Sequence, residues 1–176
     1  MTQIKEKGHQ ERVRFLLFVC MSGEYLITFE GFERLKQELS HLKEVERPQV
    51  INAISTSRAL GDLSENAEYH GAKQRQAQVE SKISMLEKIS VSAKVVDTKT
   101  LSKDTVQFGS KVKLLDLSND KETILSIVSE YEIDLAKGMI SHLSPIGKAL
   151  LGAKVGEVVE VQKPNELCEY EVLELL

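Results

Sequence analysis

Tryptophan is absent from the sequence, and aromatic residues make up only 5% of its 176 residues. This scarcity disfavours a protein that holds single-stranded bases on a broad platform of aromatic rings. Cysteine and histidine are also scarce: Cys20 and Cys168 form no C-x-x-C motif and the four histidines are scattered, so no zinc-binding pattern is present. Two distant cysteines fit reduced thiols, and we expect a cytoplasmic protein. The formal net charge of −4 disfavours a protein that coats nucleic-acid duplexes, because such proteins are basic overall.

The N-terminal segment has no apolar run long enough for a membrane span, which needs about 20 residues. The run FLLFVC covers only residues 15–20, it follows a polar stretch of mixed charge, and no A-x-A-like cleavage site follows it. We therefore expect residues 1–24 to be a disordered leader or extension, with Met21 as the functional start. An ordered extra strand or a docking segment is the alternative. Neither interpretation involves a membrane.

The next segment has the pattern of an amphipathic helix that begins after Thr28, a favourable N-cap residue. Apolar side chains recur there at steps of three and four residues: Phe32, Leu35, Leu39, Leu42 and Val45. Pro48 interrupts this pattern and the later apolar positions are shifted, so we expect a bend near residues 46–49. The helix should end near Leu60, before Gly61.

A second helix follows a short turn, so the two helices should lie antiparallel as a coiled-coil hairpin. Its apolar seam alternates steps of three and four residues: Tyr69, Ala72, Gln76, Val79, Ile83 and Leu86. After about Val91 the pattern changes to strand-length segments between turn signals, with one short helix predicted at residues 145–151. The fold class is therefore α+β, an N-terminal antiparallel helical hairpin followed by a small domain with an antiparallel sheet.

The stretch GDLSENAEY, residues 61–69, places three carboxylates at the turn between the two helices. Asp62 and Glu65 have the spacing of a capping box, and acidic groups stabilise a helix start by about 0.3–1 kcal/mol each. The same spacing puts two carboxylates within one helical turn, where they can share a hard cation such as Mg²⁺. Mg²⁺ keeps waters or phosphates as its other ligands, so such a pair could complete a metal site of another macromolecule. The spacing alone leaves both interpretations open.

From about Tyr25 to Leu176 the chain resembles the bacterial Gre transcript-cleavage factors, most closely the GreA type. The similarity lies in ordered blocks: YLITFEGFERLKQELSHL, ERPQVINAI, ALGDLSENAEYHGAKQRQ, FGSKV, SHLSPIGKALLG and GEVVEV. The resemblance implies a coiled-coil hairpin at residues 25–95 with an acidic tip at 61–68. It further implies that residues 96–176 form an FKBP-like domain that docks on RNA polymerase.

The resemblance also implies a function at the hairpin tip. In the family the hairpin enters the secondary channel of RNA polymerase and stimulates cleavage of backtracked RNA 3′ ends, which releases arrested complexes. Asp62 and Glu65 match the tip acids of the family, which help to hold the second catalytic Mg²⁺. The ion would be held jointly with the polymerase, and we expect the isolated chain to bind no cofactor stably.

The resemblance assigns polymerase docking to the block SHLSPIGKALLG, within which we select Ser144 and Pro145. The same two residues are a favourable N-cap and first position for the predicted helix, so they also have a purely structural explanation. Since the polymerase would supply the first metal and most of the catalytic site, the chain is expected to be an accessory factor rather than an enzyme. No small-molecule substrate is expected.

Basic residues flank the acidic tip. Arg58 and Lys73 match positions of a patch that contacts extruded RNA in the family, and Arg75 lies beside them. Contact with phosphate requires charge but no reading of bases, so these residues suit that role, and ordinary solvated charge is the alternative. Gly71 departs from the family pattern, which often has alanine there. Glycine inside a helix costs about 1 kcal/mol relative to alanine.

Three other functions remain open at this point. A relative that only occupies the polymerase channel would inhibit transcription, but such relatives alter the tip acids, whereas Asp62 and Glu65 are intact here. A coiled-coil adaptor would use the tip acids only as helix caps. A prolyl isomerase would need an apolar pocket lined by aromatic rings, for which the C-terminal half offers only Phe108, Tyr131 and Tyr170.

Overall fold

The computed structural model describes residues 24–59, 67–162 and 167–176. The predicted leader, apart from Glu24, and the tip acids Asp62 and Glu65 lie outside the described residues. Two compact units are present, which we call the hairpin unit (residues 32–92) and the sheet unit (residues 24–31 with 93–176). This grouping puts the first strand with the sheet, whereas the division expected from the sequence kept residues 25–95 together.

The helices follow the predicted order. The first arm of the hairpin consists of α1 (Phe29–His41), a π-helical turn (Leu42–Glu46) and α2 (Arg47–Ala59), and the second arm is α3 (Ala67–Ser92). Thr28 caps α1 as predicted, because its Oγ1 accepts a hydrogen bond from the Gly31 amide at 3.0 Å. This bond satisfies one of the amide groups that every helix start leaves without an intrahelical partner.

The packed face of α3 confirms its predicted seam. All six predicted members are buried or half-buried, and those in the second half of the seam are the most enclosed: Val79, Ile83 and Leu86. Gln76, the polar member of the predicted seam, is half-buried. In the described parts of the chain, no helix has both the length and the apolar character that a membrane crossing requires.

The first arm departs from its predicted seam at one residue. Leu35 and Leu42 are buried as predicted, but Val45 is 39% exposed, so its assignment to the seam was wrong. Val45 lies inside the π turn, where the wider backbone rotates the following side chains relative to an α-helix. The buried face resumes in α2 with a shifted set: Val50, Ile54 and Ser57.

The π turn lies directly before Pro48 and explains the shift in pattern at that point. Pro48 has no amide hydrogen, and in an α-helix its ring would crowd the carbonyl of Glu44, four residues earlier. The Arg47 amide instead donates to Leu42 O, five residues earlier, which widens the backbone locally and gives the ring room. The helical arm therefore continues through Pro48, while a bend near residues 46–49 stays a prediction.

The sheet unit contains a five-stranded sheet and a separate two-stranded one. The strands are β1 (Tyr25–Thr28), β2 (Ala93–Val96), β3 (Lys111–Asp116), β4 (Lys121–Val128), β5 (Met139–Ser141), β6 (Val158–Gln162) and β7 (Leu167–Leu175). The larger sheet has the order β5-β4-β3-β7-β6, and β1 pairs with β2 in parallel. Within the five-stranded sheet, neighbouring strands pair antiparallel except for β4 and β5. These two strands are parallel because two 3₁₀ turns return the chain between them. The predicted fold class is confirmed, with a mixed sheet in place of a purely antiparallel one.

One apolar core fills the sheet unit. Strands β3, β6 and β7 alternate buried and more exposed residues, and their inward side chains form most of this core: Val112, Leu114, Val159, Val161, Cys168, Tyr170 and Val172. The helix α4 (Pro145–Leu150) packs against β6 and adds Leu150, which is completely buried. This packing fixes the position of the residues that begin α4.

A buried carboxylate joins β1 and the start of α1 to the rest of the sheet unit. Glu132 is only 2% exposed. It accepts hydrogen bonds from the Thr28 amide at 3.1 Å, from the Thr28 hydroxyl and from the Ser129 hydroxyl at 2.8 Å. Gly31 lies against the same carboxylate, and a Cβ at that position would overlap it. We call this arrangement the Glu132 junction; it connects residues 104 positions apart in the sequence.

Candidate functional site

The acidic stretch connects two helices whose facing ends are in contact. Helix α2 ends at Ala59 and α3 begins at Ala67, and the tip segment between them is residues 60–66. In the last turn of α2, the Arg58 guanidinium lies 5.8 Å from the ring centre of Tyr69, in the first turn of α3. A cation–π contact at an exposed position contributes about 0.5–1 kcal/mol. It links the two arms immediately beside the tip segment.

Lys73 and Arg75, the other two members of the predicted basic patch, lie in the first three turns of α3 but have different partners. The Lys73 ammonium donates a hydrogen bond to Gln76 Oε1 of the same helix at 2.9 Å. Arg75 instead forms an ion pair across the hairpin with Glu46, the last residue of the π turn. The patch is therefore heterogeneous: Arg58 contacts a neutral ring, Lys73 a neutral amide and Arg75 a carboxylate.

The Arg75–Glu46 pair belongs to a set of ion pairs that cross the hairpin. The others join Lys82 to Glu38, Lys43 to Glu87 at 2.7 Å, and Arg47 to Glu80 at 2.5 Å. The hydrogen bond from Lys43 lowers the pKa of the Glu87 carboxyl, and the hydrogen bond to Glu80 raises the pKa of Arg47. Water reaches every one of these pairs, so each contributes little to stability.

The predicted docking residues Ser144 and Pro145 begin α4 in the sheet unit. The Ser144 hydroxyl accepts a hydrogen bond from the Gly147 amide at 3.1 Å and donates one to Ser141 O at 2.6 Å, so it is engaged within the fold. Pro145 occupies the first helical turn and is exposed. The predicted helix start is confirmed. A docking role for the two residues stays a prediction, for which Pro145 presents the accessible surface.

The predicted Mg²⁺ ligands, Asp62 and Glu65, lie outside the described residues, and their role stays a prediction. Two carboxylates are hard oxygen donors of the kind that Mg²⁺ takes from proteins. Glu68 follows them as an exposed residue in the first turn of α3. Within residues 24–59, 67–162 and 167–176, no group of three or more His, Cys, Asp or Glu side chains is placed to hold a metal ion.

Family models match both parts of this architecture. Residues 25–95, which contain the hairpin, match the model described as "Transcription elongation factor, N-terminal". Residues 101–176, which contain the five-stranded sheet, match the model described as "Transcription elongation factor, GreA/GreB, C-term". Together the two models account for most of the chain and define it as a transcription elongation factor.

Individual relatives agree with the family models. The transcription elongation factor GreA of Rickettsia bellii strain RML369-C is 46% identical over 153 residues, which cover 87% of this chain and 94% of that protein. The GreA of Rhodospirillum rubrum is 50% identical over 146 residues, covering 83% and 93% of the two chains. A crystal structure of GreA factor homolog 1 of Thermus thermophilus matches with 29% identity and a TM-score of 0.41, covering 87% of this chain and 99% of that one. The chain belongs to the GreA/GreB family of transcription elongation factors and is of the GreA type.

Two acidic residues with partners far away in the sequence could not be identified from the sequence alone. Glu46 was an ordinary charged residue at the edge of the predicted bend, and its contact with Arg75 depends on the register that the π turn sets. Glu132 lies in a segment whose sequence is strand-like and of mixed polarity. Ser129, one of its hydrogen-bond partners, is three residues away, but Thr28 is 104 positions away in the sequence. Only the capping tendency of Thr28 gave a local signal for the junction.

Proposed function

We propose that this chain rescues backtracked RNA polymerase by entering the secondary channel with its hairpin and stimulating the polymerase's own cleavage of the RNA 3′ end. The family membership of both parts of the chain carries the proposal. It is supported by the unbroken acidic stretch GDLSENAEY, which connects the two arms of the hairpin. The polymerase and the nascent RNA are then the partners, and the bacterial cytoplasm is the location.

Asp62 and Glu65 supply carboxylate oxygens to a Mg²⁺ ion held jointly with the polymerase. When bound, Mg²⁺ lowers the pKa of a coordinated water and stabilises negative charge on the phosphate. Mg²⁺ requires six ligands in near-octahedral geometry, and this acid pair provides only part of them. The remaining ligands come from the polymerase, the RNA and water. The chain therefore acts as an accessory factor and has no nuclease activity of its own.

The basic residues beside the tip segment contact the extruded RNA. Arg58 and Lys73 lie on the two arms, each next to a neutral partner. A phosphate that approaches either charge displaces no carboxylate of the described residues, and phosphate contacts position RNA of any sequence. That independence suits a factor that must act wherever transcription arrests.

The sheet unit docks on the outer surface of the polymerase, with the exposed start of α4 at Pro145 as part of the contact. Because α4 packs on β6 through the completely buried Leu150, Pro145 is presented from a rigid element. Rigid presentation reduces the conformational entropy that binding would otherwise cost.

The experiment is a cleavage assay on elongation complexes that are backtracked on 3′-labelled RNA in the presence of Mg²⁺. We expect the wild-type chain to accelerate release of short 3′ fragments. The double variant Asp62→Asn/Glu65→Gln should lose at least 100-fold of this acceleration, on the order of the loss when one essential charge-stabilising group is removed from an active site. Circular dichroism and a polymerase-binding measurement show whether the variant is folded and still bound.

Each result discriminates between functions. Loss of cleavage in a folded, polymerase-bound variant supports the shared-metal role of the two acids. If neither protein accelerates cleavage but both bind polymerase, the chain is an inhibitor that occupies the channel. If neither binds polymerase, the proposed function is wrong and a coiled-coil adaptor remains.

A further inference from the structure

Glu46 is an acidic residue of the first arm that pairs with one of the three basic residues beside the tip segment. It ends the π turn on the first arm, and its carboxylate pairs with the Arg75 guanidinium on the second arm. Arg75 remains accessible, with 57% of its side chain exposed, whereas Glu46 is only 24% exposed. The carboxylate is thus held against the hairpin while the guanidinium it neutralises faces solvent.

The π turn accounts for this position. Its five-residue hydrogen bond from the Arg47 amide to Leu42 O shifts the register of the first arm, exposing Val45 and leaving Glu46 half-buried. His41 Nε2 also lies 3.9 Å from Glu46 Oε1, whereas Arg75 pairs with the other carboxylate oxygen, Oε2. Glu46 is therefore anchored by local backbone geometry, and Arg75 has a preformed anionic partner in the free protein.

We propose that Glu46 is a specificity-determining counter-ion, which masks Arg75 and confines strong RNA contact to Arg58 and Lys73. This inference rests on the proposed function and adds a control of RNA contact within the same site. A phosphate that approaches Arg75 must displace a carboxylate of like charge, and the displaced Glu46 is left facing that phosphate. Among the described residues, Arg58 contacts a neutral ring and Lys73 a neutral amide, so a phosphate that approaches them displaces no described carboxylate.

The position of Arg75 makes the effect dependent on RNA length. Arg75 lies eight residues into α3 from Ala67, which corresponds to about 12 Å along the helix axis. Lys73 lies about 3 Å nearer the start of the helix. In the proposed function the RNA extends from the tip segment along the hairpin, and a short extruded segment would then end before Arg75. Glu46 would limit the gain in binding that a longer extruded segment otherwise provides.

The test uses Glu46→Gln, with Glu80→Gln as the matched control. Glu80 forms the equivalent cross-hairpin ion pair with Arg47, which is not in the basic patch, and both substitutions change the net charge equally. Full-length proteins are compared on polymerase complexes with short and with long extruded RNA. We expect Glu46→Gln to increase factor-dependent cleavage at subsaturating factor by about two- to fivefold on long extrusions, the range that corresponds to the strength of an exposed ion pair. Short extrusions and Glu80→Gln should show no such gain.

A second variant shows whether Arg75 mediates the gain. Adding Arg75→Gln to Glu46→Gln should abolish it, and the gain should shrink as salt is raised, since phosphate contacts weaken with salt. Equal effects of Glu46→Gln and Glu80→Gln, a loss of cleavage in a folded Glu46→Gln protein, or a gain that survives Arg75→Gln would each overturn the proposal. Acceleration by the wild type is measured in the same assay, so a failure of the proposed function itself is seen separately.

Discussion

The sheet unit and the hairpin unit handle charged side chains in opposite ways. In the sheet unit, Glu132 is almost completely buried and receives hydrogen bonds from the neutral Thr28 and Ser129 groups. In the hairpin unit, carboxylates such as Glu80 and Glu87 remain exposed to water and face an arginine or a lysine. The first arrangement stabilises the fold, because removing either the carboxylate or its hydrogen-bond donors leaves buried polar groups without partners. The second contributes little to stability, and its charges remain accessible to a partner.

This contrast relates to the proposed roles of the two units. A unit that docks on a large surface benefits from a rigid interior, whereas a hairpin that meets RNA and a metal ion needs charges that can exchange partners. Stability experiments should therefore be sensitive to the Glu132 junction, and cleavage experiments to the hairpin charges. Substitutions that change the free energy of unfolding and the cleavage rate together would weaken the contrast between the two units.

The largest effect on stability is expected from Glu132→Ala. The change leaves the Thr28 amide, the Thr28 hydroxyl and the Ser129 hydroxyl without their buried acceptor, so we expect a loss of about 3 kcal/mol in the free energy of unfolding. Urea denaturation followed by circular dichroism measures it. Glu130→Ala, an exposed neighbour, is the control and should stay within about 0.5 kcal/mol of wild type. Equal losses of unfolding free energy in the two variants would show that the Glu132 junction contributes no more to stability than an exposed residue does.

A pair of glycine substitutions should act in opposite directions. Gly31→Ala puts a methyl group into the Glu132 carboxylate, and overpacking of this kind costs about 1–3 kcal/mol. Gly71→Ala places its methyl group in open space on α3, where alanine favours the helix by about 0.5–1 kcal/mol. Thermal unfolding of the two variants gives the comparison. A stable Gly31→Ala protein would contradict the close approach of Gly31 to Glu132.

A pH effect of intermediate size is expected at Tyr25, whose hydroxyl accepts a hydrogen bond from the Tyr131 amide at 3.0 Å. Burial raises the pKa of Tyr25 above its ordinary value of 10.0, so the folded state favours the neutral phenol. The stabilising contribution is complete below pH 10 and decreases as the pH rises through the raised pKa. Urea midpoints measured below and above pH 10 should fall more for wild type than for Tyr25→Phe. Parallel decreases in the two proteins would contradict the partial burial of the Tyr25 hydroxyl.

The smallest effect is expected from the Lys43–Glu87 ion pair of the hairpin. Because Lys43 lowers the pKa of Glu87, the contribution of the pair is present above the ordinary carboxyl pKa of 4.5 and disappears as the pH falls through the lowered value. A double-mutant cycle with Lys43→Met and Glu87→Gln should give a small coupling at neutral pH that vanishes in acid or in high salt. A coupling as large as the effect of Glu132→Ala would remove the contrast between the units.

Much of the fold could be predicted because its signals are local. The seam of α3 follows from alternating steps of three and four residues, and the caps at Thr28 and Ser144 follow from side chains that accept amide hydrogen bonds. The strands were visible as alternating segments of the right length. Val45 was misplaced because a π turn leaves no periodic signature of its own, although Pro48 indicated that a disturbance lay nearby.

The remaining features depend on contacts between distant residues. The parallel pairing of β4 with β5 is set by the 3₁₀ turns that return the chain, and the Glu132 junction joins residues 104 positions apart. At the candidate site, the resemblance supplied roles for Asp62, Glu65, Arg58 and Lys73, whereas spacing alone could not separate a helix cap from a metal ligand. The pairing of Arg75 with Glu46 required the three-dimensional register of the two arms.

The shared-metal role of the tip acids can be measured by titrating Mg²⁺ in the cleavage assay, with polymerase and factor concentrations held constant. If Asp62 and Glu65 complete the coordination of the ion, the wild-type chain lowers the Mg²⁺ concentration needed for half-maximal cleavage, and Asp62→Asn/Glu65→Gln returns it to the value for polymerase alone. The same half-maximal Mg²⁺ concentration with wild type, with the variant and without factor would contradict the role assigned to the two acids.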